Sequence, residues 1–261
     1  MDAFCLKCFG VGDGWPSADR NHSAFLYRFG PVSFLIDCGE PVGRALKASG
    51  MSYDALDRIF ISHLHFDHIG GFFMLTQGFW LERRRRELTV HLPAEGIAPI
   101  RQMLDAGYVF EELLAFPMRF EALEAGRPIP VGHVRVTPHP TTHLAGLRAS
   151  FQARHPQPFC AYSFLLEADG LRVAHSADMG AAKDLEPLVR EPLDLLVCEL
   201  AHFRPESLFA YLRGRPIRRL VFIHATRAIW DNREATRQAA ADALPGVAVS
   251  FAQDGEEIRL G

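Results

Sequence analysis

One stretch of seven residues, Ser62-His63-Leu64-His65-Phe66-Asp67-His68, constrains this chain more than any other. Four of its side chains can bind a metal. The apolar run Arg58-Ile59-Phe60-Ile61 leads into it and reads as a buried strand, and Ile69-Gly70-Gly71 follows and opens a helical stretch. A strand that stops at a ligand-rich loop fixes that loop and turns its imidazoles into a common cleft. His63 and His65 offer neutral nitrogen donors to one ion, and Asp67 and His68 can serve a second. Such donors hold zinc at about 2.0–2.2 Å. Two ions in one site lie about 3.5–4 Å apart and share a bridging hydroxide. Histidines that only cap the following helix are the plain alternative, but four metal-capable residues in this order exceed what a cap needs.

The 261 residues suffice for one sizeable core, and the chain reads as a single domain over 1–261. With 48% apolar and 23% charged residues the balance is that of a soluble globular protein. The net charge of −3 gives no general reason to bind nucleic acid or anionic membranes, which favour a basic face. Met1-Asp2-Ala3-Phe4-Cys5 lacks a basic region followed by an apolar one, and no stretch reaches the ~18 apolar residues of a membrane span. The expected location is cytoplasmic. Five cysteines, an odd count, then imply free thiols. Cys5 and Cys8 form a CxxC without a second pair, a weak case for a structural zinc.

Phe4–Phe9 reads as a first strand, followed by Gly10-Val11-Gly12-Asp13-Gly14. Trp15 occupies the position of the third glycine in GxGxxG, so this is not a dinucleotide loop. His22–Phe29 and Val32–Asp37 form a hairpin at Gly30-Pro31. A helix is predicted over Pro41–Ser49, another over Gly71–Arg86, and a third over Ala94–Gly107 with an interruption at Pro99. Arg83-Arg84-Arg85-Arg86 reads as the solvated end of the second of these, or less simply as a phosphate contact. Cys160–Glu167 and Leu171–His175 form a hairpin around Asp169-Gly170. Strands at Leu193–Cys198 and Arg218–Ile223 and a helix over Asn232–Leu244 complete the second half, which repeats the rhythm of the first. Two packed sheets with outer helices fit this order better than one parallel sheet.

Three later strands stop at a candidate ligand: His143, Asp178 and His224. Asp178 can bridge two ions, with His143 completing the set of the first and His224 that of the second. Each ion then keeps a position open for water or substrate. Lone histidines such as His133 and His139 read as half-buried structural residues.

The pattern His63-x-His65-x-Asp67-His68 with His143, Asp178 and His224 resembles the signature of the metallo-β-lactamase superfamily, and Asp37-Cys38-Gly39 and His68-Ile69-Gly70-Gly71 match its flanking motifs. The resemblance covers essentially the whole chain. It implies an α+β fold, a four-layer αββα sandwich, with two Zn2+ (manganese or iron suit similar donors) at one edge. It further implies that His63, His65 and His143 bind one ion, that Asp67, His68 and His224 bind the other, and that Asp178 bridges them. Gly10–Gly14 through Asn21-His22-Ser23-Ala24, His175-Ser176-Ala177-Asp178, Cys198-Glu199-Leu200-Ala201 and His224-Ala225-Thr226-Arg227 look most like the tRNase Z and phosphodiesterase-like branch. Ala177 stands where that branch usually has glycine. Only 35 positions separate His143 from Asp178 (178 − 143 = 35), too few for the long arm that clamps tRNA, and a separate His-Ser-Thr motif is absent. The expected partner is therefore a small-molecule or short phosphodiester substrate, with tRNA disfavoured and no membrane.

The expected chemistry is zinc-dependent hydrolysis by a metal-bridging hydroxide, which zinc makes available near neutral pH. Asp67 orients that hydroxide and accepts its proton. His202 with Glu199 is the candidate pair that protonates the leaving group; a surface histidine beside a capping glutamate is the alternative. Asp37 either holds a ligand histidine by its other ring nitrogen or serves a turn. Arg227 either binds an anionic substrate or pairs with a carboxylate. Hydrolysis of a carboxylic ester, thioester or lactone at the same site remains open, as does a non-catalytic metal-binding module. Oxygen or nitric oxide reduction at a di-iron site is disfavoured, because such sites use a carboxylate where this chain has His65. Specificity is expected from loops bearing Trp15, Phe72, Phe79, Trp80 and Phe203, and exposed aromatic loops are compatible with a homodimer.

Overall fold

Side chains that alternate across a strand decide which of its faces must be covered, and most strands here are buried on both faces. A computed structural model describes residues 4–260, so Met1-Asp2-Ala3, part of the reading against an export signal, lie outside the described residues. The chain forms two compact units. One takes the chain up to Leu123 and again from Gln253, and the other takes Glu124–Ala252.

The first unit holds a seven-stranded sheet. Its strands are β1 (Phe4–Gly10), β2 (Ala24–Phe29), β3 (Val32–Ile36), β4 (Arg58–Phe60), β5 (Leu88–Leu92), β6 (Met118–Ala122) and β14 (Glu257–Leu260), in the order β14-β1-β2-β3-β4-β5-β6. The β14-β1-β2-β3 half is antiparallel and the β3-β4-β5-β6 half is parallel. Helices α1 (Val42–Ala48), α3 (Phe72–Leu81) and α4 (Ala94–Ala106) supply apolar residues to one face, and the single turn α2 (Phe66–Ile69) carries the metal-capable loop. Leu35, Ile59 and Val90 stand side by side in register across β3, β4 and β5. They join Val42, Leu46, Phe72, Leu75, Phe79, Ile100 and Leu104 in one core.

The second unit repeats the plan. Strands β7 (Ile129–Val131), β8 (Val134–Pro140), β9 (Tyr162–Ala168) and β10 (Leu171–His175) are antiparallel neighbours. Strands β11 (Leu195–Leu200), β12 (Arg219–Ala225) and β13 (Ala248–Phe251) continue from β10 in parallel. Helices α5 (Ala145–Phe151), α6 (Pro205–Leu212), α7 (Arg227–Asp231) and α8 (Arg233–Ala243) complete the unit. Asp169 and Gly170 both take positive φ, 49° and 83°, the two-residue turn that Asp-Gly favours, so the expected hairpin is present.

Several local expectations are corrected. The second long helix ends at Leu81 rather than Arg86, because Arg83 takes φ 55° and turns the chain. Arg84 is then drawn inside, 1% exposed, and donates to the carbonyls of Tyr53, Leu56, Arg86 and Glu87. It lies over the rings of Phe79 and Phe116. It is a structural clamp and not a solvated helix end. Helix α4 continues through Pro99 without a break. Phe72 and Phe79 belong to the core and face no cleft. Cys5 and Cys8 lie three apart on β1 and so point to opposite faces, which removes the basis for a shared zinc. Burial raises both thiols above their ordinary range. Among the described residues no helix is long and apolar enough to cross a membrane.

Candidate metal centre

Both units gather their metal-capable side chains at or just past the carboxyl ends of strands, where open α/β sheets place their ligands. In the first unit, β4 ends at Phe60 and the next residues carry the signature. Ile61 N–H donates to the His91 carbonyl, so sheet pairing persists up to the loop. Asp37, at the end of β3 with φ 62°, is completely buried and reaches across to that loop. Its carboxylate accepts the Ser62 N–H at 2.7 Å, the Ser62 hydroxyl at 2.9 Å and the His68 Nδ1–H at 2.7 Å. Ser62 Oγ in turn lies 3.1 Å from Nδ1 of His63. Asp37 thus organises His63 and His68 through their Nδ1 atoms and leaves each Nε2 to face outward. Asp37 both holds His68 by its Nδ1 and ties down the loop at Ser62. The close fit also explains Gly39: a Cβ there would stand 2.2 Å from the Asp67 carbonyl oxygen.

Nε2 of His63 stands 3.1 Å from Nδ1 of His65, and Nε2 of His68 stands 3.2 Å from Oδ2 of Asp67. Two ring nitrogens at that spacing, one of them with its proton committed to the opposite nitrogen, are what a pair of ligands to one cation presents. The glycine loop lies alongside. Asp254 accepts the N–H groups of Val11 and Asn21 at 3.0 and 2.6 Å, and Gly12 N–H donates to the Asn21 carbonyl at 2.8 Å. This places Gly14 so that a Cβ would meet Asp67 Oδ2 at 3.5 Å. Trp15 and Phe66 are the most exposed large aromatics beside this loop. Phe66 went unnoticed in the sequence.

In the second unit three imidazoles converge on one carboxylate oxygen. Nε2 of His224, of His143 and of His202 lie 3.3, 3.6 and 3.7 Å from Oδ2 of Asp178, which is 2% exposed. Local backbone aims these groups. Register shifts by one between β11 and β12, so that Glu199 pairs with Ile223 and Leu200 with Ala225. His224 is the extra residue, at φ 45°, and such a bulge re-aims a side chain. Ala177, just before Asp178, has φ 44°. Left-handed conformations of this kind favour glycine, which accounts for the glycine usual at this place in the motif.

Glu199 is fully buried and lies inside β11 rather than beyond its end. It accepts the N–H groups of Met179 and Ala201 at 2.8 Å each, that of His202 at 3.1 Å, and Nδ1 of His202 at 2.9 Å. Glu199 is therefore spent on holding His202, whose Nε2 faces Asp178. The ring of His202 stacks on that of His224 with centroids 5.7 Å apart and meets the edge of His143 at 4.5 Å. Arg227, by contrast, is 90% exposed and 3.7 Å from Asp231, the carboxylate pairing named as its alternative. Asp184 also went unnoticed in the sequence, since a single aspartate 41 residues after His143 and 40 before His224 carries no pattern.

Mixed sheets with histidines and carboxylates gathered at their strand ends define a protein of the metallo-β-lactamase fold, in the α+β class. The solved metallo-β-lactamase fold protein YhfI from Bacillus subtilis superposes with a TM-score of 0.78 over 99% of this chain and 100% of that one, at 21% identity. Human tRNase Z, short form, superposes with a TM-score of 0.72 over 97% and 98%, at 18% identity. The chain belongs to the Anti-Pycsar protein Apyc1 family, whose model matches residues 4–212. It is also 32% identical to ribonuclease Z of Archaeoglobus fulgidus over 142 residues, 54% of this chain and 45% of that protein. The chain thus spans about half the length of the curated relatives it matches. The resemblance to the tRNase Z and phosphodiesterase-like branch is borne out, and the expectation that disfavours tRNA gains no support from relatives of that name.

Proposed function

We propose that this chain is a metal-dependent hydrolase of phosphodiesters with a dinuclear centre, and that 1–261 acts as one domain. In this reading His63, His65, His143 and Asp178 hold one ion, and Asp67, His68, Asp178 and His224 hold the other. The observation that carries it is the convergence of three Nε2 atoms on one buried oxygen of Asp178. A carboxylate so surrounded suits a bridging ligand, and a donor set of imidazoles and carboxylates suits zinc. The one-domain reading draws on the family model, which runs across the boundary between the units at Leu123 and Glu124.

Two bound ions supply a water of lowered pKa and positive charge for the oxygens of the diester. The chain's own residues do the rest. Asp67, next to Nε2 of His68, orients the water and takes its proton. Asp37 keeps the protons of His63 and His68 on Nδ1. His202, held at Nδ1 by Glu199, donates from Nε2 to the departing oxygen. Glu199 acts through His202 and so is a positioning residue. The segment between His143 and Asp178 consists of seven-residue α5, a loop and the β9–β10 hairpin, which favours a small diester. The name ribonuclease Z on the relatives favours RNA, so both belong in the test.

Metal content and hydrolysis of bis(p-nitrophenyl) phosphate, measured on wild type and on Asp67→Ala, test this reading. About two equivalents of metal per chain, with turnover that the substitution abolishes, support it. Cyclic nucleotides, short oligonucleotides and a tRNA precursor then define the substrate. Two metals without diester turnover transfer the search to carboxylic esters, thioesters and lactones. Absence of metal, with no turnover on adding it, sinks the reading.

A further inference from the structure

We infer that Asp184 is the positioning residue that sets the geometry between His143 and Asp178. The inference rests on the reading of those two residues as metal ligands. Asp184 lies on the helical turn Ala182–Leu185 and is 8% exposed. Its Oδ2 accepts the Thr142 N–H at 2.8 Å, the Thr142 hydroxyl at 2.8 Å, the Gly180 N–H at 3.0 Å and the Ala181 N–H at 3.4 Å. Thr142 immediately precedes His143, and Gly180 follows Asp178 by two residues. One carboxylate therefore binds the backbone next to both ligands. The longest of these bonds is the one to Ala181, at the start of its own turn, so capping that turn is its lesser task.

The two loops meet at a second place. Thr141 Oγ1 donates to the Asp178 carbonyl at 2.8 Å. A Cβ on Gly180 would stand 2.4 Å from Thr142 Oγ1 and 2.5 Å from its carbonyl oxygen, so the strands of chain touch with no room for a side chain. His143 Nε2 ends 3.6 Å from Asp178 Oδ2. A monodentate ligand placed even a few tenths of an ångström wrong loses much of its bond to a cation, and partners beyond the ligands themselves commonly govern metal affinity about tenfold or more. Asp184 has the connectivity to do this for two ligands at once. Because Asp178 is the shared ligand, loosening it weakens both ions together.

The experiment is zinc titration of the metal-free protein by calorimetry, with the thermal midpoint of the metal-free form recorded alongside. Wild type, Asp184→Asn, Asp184→Ala, Thr142→Val, Thr142→Ser and Gly180→Ala are compared. The expected result is two zinc equivalents for wild type and a fall in affinity for both of about tenfold or more in Asp184→Ala and Gly180→Ala. Thr142→Val falls by a smaller factor, and Thr142→Ser, which restores the hydroxyl, returns to wild type. Thr142→Val and Thr142→Ser keep the decision open should Asp184→Ala fail to fold. Wild-type zinc affinity in folded Asp184→Asn and Thr142→Val, with only the metal-free midpoint lowered, overturns the inference and leaves Asp184 a cap. Failure of wild type itself to take up zinc overturns instead the ligand reading beneath it.

Discussion

Asp37 and His68 share a hydrogen bond of 2.7 Å between two side chains that are almost wholly out of contact with solvent. The bond fixes the imidazole tautomer, because the proton sits on Nδ1 and Nε2 keeps its lone pair. Asn tolerates the left-handed backbone of Asp37 about as well as Asp does. Asp37→Asn should therefore keep the fold and lower metal affinity by about 10- to 100-fold. Competition with a coloured chelator measures it; an affinity equal to wild type would confine Asp37 to shaping its turn.

Ala177 gives a backbone prediction. At φ 44° its side chain crowds the following carbonyl, a strain of about 1 kcal/mol that glycine lacks. Ala177→Gly should raise stability by up to about 1 kcal/mol, and Ala177→Val should lower it by about 2 kcal/mol or more. Urea denaturation of the metal-free protein distinguishes them. A destabilised glycine variant would mean that the buried methyl matters more than the backbone.

Arg84 predicts a large loss of stability. Burial pushes its guanidinium down to about 10, so it is still a cation at neutral pH. Its charge is spread over four carbonyl groups and two aromatic faces. Arg84→Met should cost about 3 kcal/mol or more, since the carbonyls lose their donor. Arg84→Lys should recover little, because an ammonium cannot reproduce the planar fork. Full stability in the lysine variant would show that charge alone suffices.

His91 governs the acid limb of stability. It is 3% exposed, stacked on Phe60 and 3.6 Å from Glu121, and among the described residues no hydrogen-bond partner meets its Nε2. Burial, with a smaller contribution from Arg58, pushes its imidazole down to about 4 from an ordinary 6.5. Between those values the unfolded chain takes up a proton that the folded chain refuses. The contribution of His91 is therefore complete above pH 6.5 and is lost as pH falls toward 4, by about 3 kcal/mol in all. His91→Phe should flatten that part of the stability profile, and an unchanged profile would assign acid sensitivity to other groups.

Much of the site was legible because its chemistry is packed into short sequence spans. His63 through His68 announce themselves by type and spacing, and His143, Asp178 and His224 by following apolar runs. The Asp-Gly hairpin and the repeated rhythm of the two halves were legible for the same local reason. What escaped depends on distant parts of the chain. Arg84 looked like one of four equivalent arginines until the carbonyls at 53 and 56 selected it. Phe72 and Phe79 looked like cleft aromatics because an apolar helix gives no sign of which side is covered. Helix α5 is only seven residues long and has no buried residue, so it shows no covered face from which to read it. The bulge at His224 is invisible in sequence because only register against β11 reveals it. Asp184 and Asp254 belong to the same class: isolated carboxylates whose partners are backbone amides.

Strand β14 lies beside β1, pairing Phe4 with Leu260 and Lys7 with Glu257, and Asp254 just ahead of it ties down the glycine loop. A ribosome delivers these pieces about 250 residues apart. During synthesis the second unit emerges entire while the first still waits for its outermost strand, and β1 meanwhile offers a bare edge to any neighbouring chain. A premature stop shortly before Gln253 would spare every candidate ligand and still leave a sticky, half-finished sheet. A message cut short there yields aggregate rather than a weakened enzyme.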